Sequence, residues 1–346
     1  MVKVPDAWGM KDHLLALPQQ CLLAHGKGLG LGLSESYRQV DRVVLAGMGG
    51  SAIAGDLLAG LAAEEGLPVY VHRDYGPPPS LDQRTLAIFS SYSGNTEETL
   101  TSFLGSVNSP SKKLVVTSGG RLGELARKQG VPLLSIDYKA PPRAAAGYSF
   151  MALVGALERL GLLADKSAGV AEMVAVLEKM SLALRPEKKN PALTLARRFS
   201  RRLVVIYGSG FLQGVARRWK TQLNENAKCW AFFDALPEAH HNSVVGYGFP
   251  AGVKARALVV LLSSPLLSSR HRLRLEITRE LLQREGVAYE EAAGTGESVL
   301  SQMMSLLYLG DWASYYLAGI NAVDPSPVPS IDLLKERLAQ HPLEEQ

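Results

Sequence analysis

Three hydroxyls, Ser91, Ser93 and Thr96, crowd around Gly94 in the segment Ser90-Ser-Tyr-Ser-Gly-Asn-Thr-Glu-Glu-Thr99. The segment lies between an apolar run, Leu86–Ser90, and a helical pattern, Thr96–Val107. The first N–H groups of a helix have no intrahelical acceptor, so hydroxyls gathered beside them can cradle a phosphate monoester without Lys or Arg. An ordinary helix cap needs one such hydroxyl, with Glu97 or Glu98 as a first-turn acid, and the density here exceeds that need. A second segment, Gly47-Met-Gly-Gly-Ser-Ala-Ile-Ala54, also follows an apolar strand pattern and opens a helix. Gly49 and Gly50 would let the backbone approach a ligand, and Ser51 adds a hydroxyl. Alone, this segment fits a dinucleotide fingerprint through Gly47, Gly49 and Ala52, with Asp74 after the next strand as a ribose-binding acid. A dinucleotide site does not require the serine-rich segment.

Downstream lie a carboxylate, an imidazole and a guanidinium in polar surroundings. Glu225 sits between Asn224 and Asn226 at the end of a helical pattern. His240 and His241 occupy a turn-like stretch, and Arg143 follows Pro141 and Pro142. Moving a proton between neighbouring carbons through an enediol needs a carboxylate base, an acid to open the sugar ring, and positive charge near the developing oxyanion. Each residue also has a plain reading. Glu225 could pair with Lys228 on the helix surface, the histidines could be loop residues, and Arg143 a surface charge.

Gly-Gly-Ser at 49–51 followed by Ser-x-Ser-Gly-Asn-Thr at 91–96 resembles the sugar isomerase (SIS) domain. Three further features stand in the same order: Pro142-Arg143 before Gly147-Tyr148, Asn224-Glu225-Asn226-Ala-Lys228, and Pro237-Glu238-Ala-His-His241-Asn242. With them, nearly the whole chain is similar to the bifunctional phosphoglucose/phosphomannose isomerase family, which has two SIS domains per chain. The resemblance implies a metal-independent aldose–ketose isomerase without cofactor. Its substrate would be a hexose 6-phosphate, glucose or mannose 6-phosphate giving fructose 6-phosphate through a cis-enediol. It implies Glu225 as base, His241 as the ring-opening residue reached across a homodimer interface, and Arg143 as the enediolate stabiliser. Gly49, Gly50, Ser51, Ser91, Ser93 and Thr96 would bind substrate. Asn242 selects His241 over His240, and Lys335 is the match for a lysine near the C-terminus. Two other classes stay open. A non-catalytic sugar-phosphate sensor would keep the serine segment without needing Glu225, and a dinucleotide-dependent oxidoreductase would need only the glycine segment.

The elements that must position these residues alternate. Arg42–Ala46, Val69–His72, Leu86–Ser90, Lys113–Thr117 and Val131–Ile136 read as strands. Ala52–Glu65, Thr96–Val107 and Leu122–Gln129 read as helices between them. Apolar strands alternating with helices predict α/β domains, each a parallel sheet covered on both faces. Helical patterns at Gly147–Leu163 and Gly169–Leu184 lead to a polar, proline-bounded loop, Arg185–Pro191. Val204-Val-Ile-Tyr-Gly-Ser-Gly-Phe211 then repeats the pattern of Val43-Val-Leu-Ala-Gly-Met-Gly-Gly-Ser51, which suggests an internal duplication. Another strand at Ala255–Ser263, a charged helix at His271–Glu285 and a long closing helix at Glu297–Ile320 complete the second half. The expectation is two SIS-type domains, residues 1–165 with a leading helix and 166–346, with C-terminal helices closing over their interface.

The 346 residues suit about two domains. A net charge of +4 without a dense basic block argues against nucleic acid. The two cysteines, Cys21 and Cys229, form no zinc spacing and no disulfide framework, and the histidines no His-Glu-x-x-His, so no metal is expected. A charged N-terminal stretch and the absence of a long apolar run predict a soluble, cytoplasmic protein with no membrane partner.

Overall fold

The structure, a computed structural model, describes residues 2–341. In chain order the first half comprises α1 (Met10–Leu29), β1 (Arg42–Gly47), α2 (Gly49–Ala63), β2 (Val69–His72), β3 (Thr85–Ser90), α3 (Glu97–Ser106), β4 (Lys112–Thr117), α4 (Gly120–Lys128), β5 (Leu133–Ser135) and α5 (Ala146–Arg159). Its five strands form one parallel sheet in the order β2-β1-β3-β4-β5. The central strands are continuous apolar runs because both faces are covered. Successive residues divide between two cores. Ala87, Phe89 and Val115 face α3 and α4, where Phe103 and Leu122 meet them. Val43, Leu45, Leu86, Ile88, Leu114 and Val116 belong to a larger core, which continues into the second half.

The second half comprises α6 (Ser167–Leu184), α7 (Pro191–Phe199), β6 (Leu203–Ser209), α8 (Gln213–Glu225), β7 (Ala231–Leu236), α9 (Val253–Arg256), β8 (Ala257–Ser263), α10 (Ser269–Glu285), β9 (Ala288–Ala293), α11 (Val299–Ile320) and α12 (Pro329–Ala339). Its sheet is parallel in the order β7-β6-β8-β9, which repeats the order of the first four strands of the other sheet. The repeat extends to backbone detail. Gly49 and Gly210 occupy equivalent places after β1 and β6 and have φ of 50° and 52°, a left-handed conformation that glycine adopts without strain. The duplication suggested by one aligned segment is thus matched by topology.

α11 is buried along nearly its whole length. It packs on α6, α7 and α8 and also touches α1 and α2, so it closes the junction between the halves. α12 does not share in this closure, because every residue from Ser330 to Ala339 is exposed. Among the described residues no helix is long and apolar enough to cross a membrane.

In both sheets the chain order reverses beside the first strand, between β1 and β3 and between β6 and β8. Open α/β sheets bind ligands at the carboxyl ends of the strands flanking such a reversal. β1 runs there into Gly49–Ser51, and β3 into Ser91–Thr96.

Candidate active site

The two loops touch. Ser51 Oγ accepts the N–H of Tyr92 at 3.2 Å, and Ser91 Oγ lies 2.8 Å from Thr96 Oγ1. Thr96 stands at the N-terminal boundary of α3, yet its side chain makes no capping bond to the helix. The ordinary-cap reading of these hydroxyls is therefore not what the chain adopts. Ser91 is buried, and its Oγ accepts the Gly94 N–H at 3.1 Å, which shapes the turn. Ser93 is exposed and Thr96 partly so, on the side where the first-turn amides of α3 open. A third loop completes the cradle. A Cβ on Gly94 would fall 1.9 Å from the carbonyl oxygen of Gly119, so the Ser118-Gly119-Gly120 turn after β4 is pressed against the serine loop. That turn went unread in the sequence, although Thr117-Ser-Gly-Gly120 repeats the strand, glycine and helix signal of β1.

The cradle leads directly to Arg143. A Cβ on Gly50 would fall 2.8 Å from the carbonyl oxygen of Pro142, so only glycine lets the two backbones meet. Arg143 is 4% exposed. Its Nε donates to Asn226 Oδ1 at 2.7 Å, and its Nη2 donates to the carbonyls of Pro325 and Ser326 at 2.5 and 2.7 Å. Its Nη1 faces Glu225 Oε2 at 3.6 Å. Burial pulls the guanidinium below its ordinary pKa, and the Glu225 charge opposes that. Arg143 is thus a buried cation at a carboxylate, not a surface charge.

Glu225 closes α8 and keeps its side chain 25% exposed at a cleft of about 450 Å³, lined also by Lys228, Trp230, Val328 and Ile331. Lys228 does not pair with the Glu225 carboxylate. Its ammonium donates to the main-chain carbonyls of Glu225 and Pro325 at 2.6 and 3.3 Å. Burial, with Arg143 nearby, pulls Lys228 below the usual lysine range.

The adjacent histidines differ in their surroundings. His240 is occupied, with Nε2 2.9 Å from Thr278 Oγ1 and Nδ1 3.0 Å from Arg274 Nη1. His241 is exposed and does not line the Glu225 cleft. Lys335 lies on exposed α12 and is likewise not brought to Glu225 within the chain.

The matching places of the second half differ. Where the first has Gly50 and Ser51 it has Phe211 and Leu212, both buried. In the serine-rich turn after β8, Ser264 Oγ accepts the Leu266 N–H, while Ser268 Oγ caps α10 through the His271 N–H. Asp74 receives the N–H of Tyr75 at 2.8 Å, and the strand order is not the 3-2-1-4-5-6 of a dinucleotide fold. Among the described residues no group of three or more His, Cys, Asp or Glu is placed to hold a metal ion.

The chain is similar to known proteins over most of its length. The family model "Bacterial phospho-glucose isomerase C-terminal SIS domain" matches residues 188–338. The bifunctional phosphoglucose/phosphomannose isomerase of Caldicellulosiruptor bescii is 37% identical over 336 residues, covering 96% of this chain and 99% of that protein. The protein of the same name from Aquifex aeolicus is 34% identical, covering 86% and 91%. Among solved structures, a hypothetical protein from Thermus thermophilus superposes with a TM-score of 0.72 at 18% identity, over 97% of this chain and 91% of that one, a likeness of fold. On these grounds the chain belongs to the bifunctional phosphoglucose/phosphomannose isomerase family.

Proposed function

We propose that the chain interconverts glucose 6-phosphate or mannose 6-phosphate and fructose 6-phosphate through a cis-enediol, without a metal ion, as a homodimer. One observation carries this reading. An unbroken path of contacts joins the hydroxyl cradle at 91–96 to Ser51, Gly50, Pro142, Arg143 and finally Glu225. The 6-phosphate docks on Ser91, Ser93, Thr96 and the first amides of α3, and Gly49, Gly50 and Ser51 hold the sugar. Glu225 takes the C2 proton and returns it to C1, while the Nη1 edge of Arg143 stabilises the enediolate. Rotation in the intermediate lets one base serve both C2 epimers. The deciding assay is isomerisation of fructose 6-phosphate with the glucose and mannose products resolved. Absence of both products from well-folded protein would leave the sensor reading in its place.

Metal independence has its own test. Activity should survive prolonged EDTA treatment. Loss of turnover that zinc restores would remove the proposed chemistry.

The homodimer reading rests on exposed apolar surface around the cleft. Trp230 is 75% exposed, and Ile331, Leu334 and Leu338 line one side of α12 without cover. His241 of the partner subunit would supply the ring-opening group, since this chain's own His241 stands outside the Glu225 cleft. Mixing Glu225→Gln protein with His241→Ala protein, each inactive alone, should then restore up to about a quarter of the sites, because half of randomly mixed dimers hold one intact site. No recovery after subunit exchange would place both residues in one protomer's site.

A further inference from the structure

The Arg143 guanidinium has five N–H donors, and the structure commits three of them to the protein. Nε serves Asn226, and both Nη2 protons serve Pro325 and Ser326, which leaves Nη1 toward Glu225. What holds this orientation is a buried chain of hydrogen bonds with one direction. Ser314 Oγ donates its single proton to the Asp311 carbonyl at 2.7 Å. Its oxygen can then only accept, and it takes Nδ2 of Asn226 at 2.9 Å. The Asn226 amide therefore cannot flip, and its oxygen must face Arg143. Asp311 is anchored in turn, because Arg218 grips its carboxylate with two bonds of 3.1 and 2.8 Å across α8 and α11. Asn226 and Ser314 are fully buried. Asn226 also directly follows Glu225, so one residue is joined through the main chain to Glu225 and by hydrogen bond to the cation.

We propose that Asn226 and Ser314 are positioning residues that aim the uncommitted edge of Arg143 at the reacting carbons beside Glu225. The proposal rests on the isomerase reading above. Neither residue touches substrate, so their loss acts through Arg143. A displacement of the cation by an ångström or less costs transition-state stabilisation and little ground-state binding.

The test uses the intact protein with Ser314→Ala, which removes one oxygen, and Asn226→Leu, which removes both amide groups. For fructose 6-phosphate, kcat should fall about 10- to 100-fold in each while KM stays within about threefold. On an Arg143→Lys background, Ser314→Ala should cost no further rate, because its only route is the guanidinium. The Nε–H resonance of Arg143, assigned by its loss in Arg143→Lys, should exchange with water at least about tenfold faster in Ser314→Ala, as befits a donor whose acceptor is no longer held. Unchanged kcat in Ser314→Ala, or a loss that multiplies in full on the Arg143→Lys background, overturns the proposal. The resonance separates two failures. If wild-type protein isomerises no hexose phosphate, the functional reading falls, and unaltered Nε–H exchange in Ser314→Ala would show independently that this chain does not hold Arg143.

Discussion

Glu225→Gln is expected to lower the turnover number by about 10²–10⁴-fold while sugar-phosphate binding changes little. Glutamine keeps the shape and hydrogen-bonding reach of the side chain but cannot take a proton at neutral pH. The geometry makes the contrast sharp. A glutamate paired with Lys228 on the helix surface would lose only about a few tenths of a kcal/mol of stability and no rate. In the structure, however, Lys228 serves the main chain of Glu225, and the carboxylate faces Arg143 at 3.6 Å beside the cleft. Binding should persist because the proposed phosphate loop lies on the other sheet. Solvent deuterium gives a second reading. Wild-type protein working through one base should carry label to C1 or C2, and Glu225→Gln should not. Near-normal turnover and exchange in the variant would mean that the base lies elsewhere and that the family's central residue has been carried to the wrong position.

The second large effect belongs to the phosphate cradle. Ser93→Ala combined with Thr96→Ala should weaken glucose 6-phosphate binding by about 10²–10⁴-fold, since each lost charge-assisted bond is worth about 1.5–3 kcal/mol and every 1.4 kcal/mol is about tenfold. Ser91 is left alone deliberately. It is buried and accepts the Gly94 N–H, so its loss would disturb the turn itself. Thr96 makes no capping bond to α3, which is why removing its hydroxyl should spare the fold. Calorimetry with glucose 6-phosphate checks the affinity, and circular dichroism checks the helix content. Unchanged affinity in the double variant would take the phosphate away from this loop.

The strands that carry the site were legible because their positions leave few choices. β1 and β3 are central strands buried on both faces, so they are continuous apolar runs ending in glycine or serine. Edge strands of the second sheet were not legible. β7 and β9 each pair on one side only, and their partial exposure admits Phe232, Asp234 and adjacent Glu290 and Glu291. The helix α7 also went unread, although Asn190 caps it through Leu193 N–H and Pro191 takes its first position, a signal set at the end of a polar, loop-like segment. Boundaries shifted where glycine begins a helix, so α2 starts at Gly49 and not at Ala52.

By itself the sequence determined which chemically capable groups stand at each segment. Hydroxyl density at 91–96, glycines at 49–50 and a carboxylate between two asparagines at 224–226 are local features, set by residue type and spacing along a few turns of chain. Only the tertiary structure decided which of them lie together. Arg143, Asn226, Ser314 and Pro325 come from four distant segments, and their hydrogen bonds exist because α8, α11 and the stretch before α12 are packed side by side. The contrast between His240 and His241 arises in the same way, because Thr278 and Arg274 on α10 take up one ring and the other residue stays exposed. Local pattern constrains what a side chain can do, but a donor's direction and a cation's free edge depend on partners that only folding brings within hydrogen-bond reach.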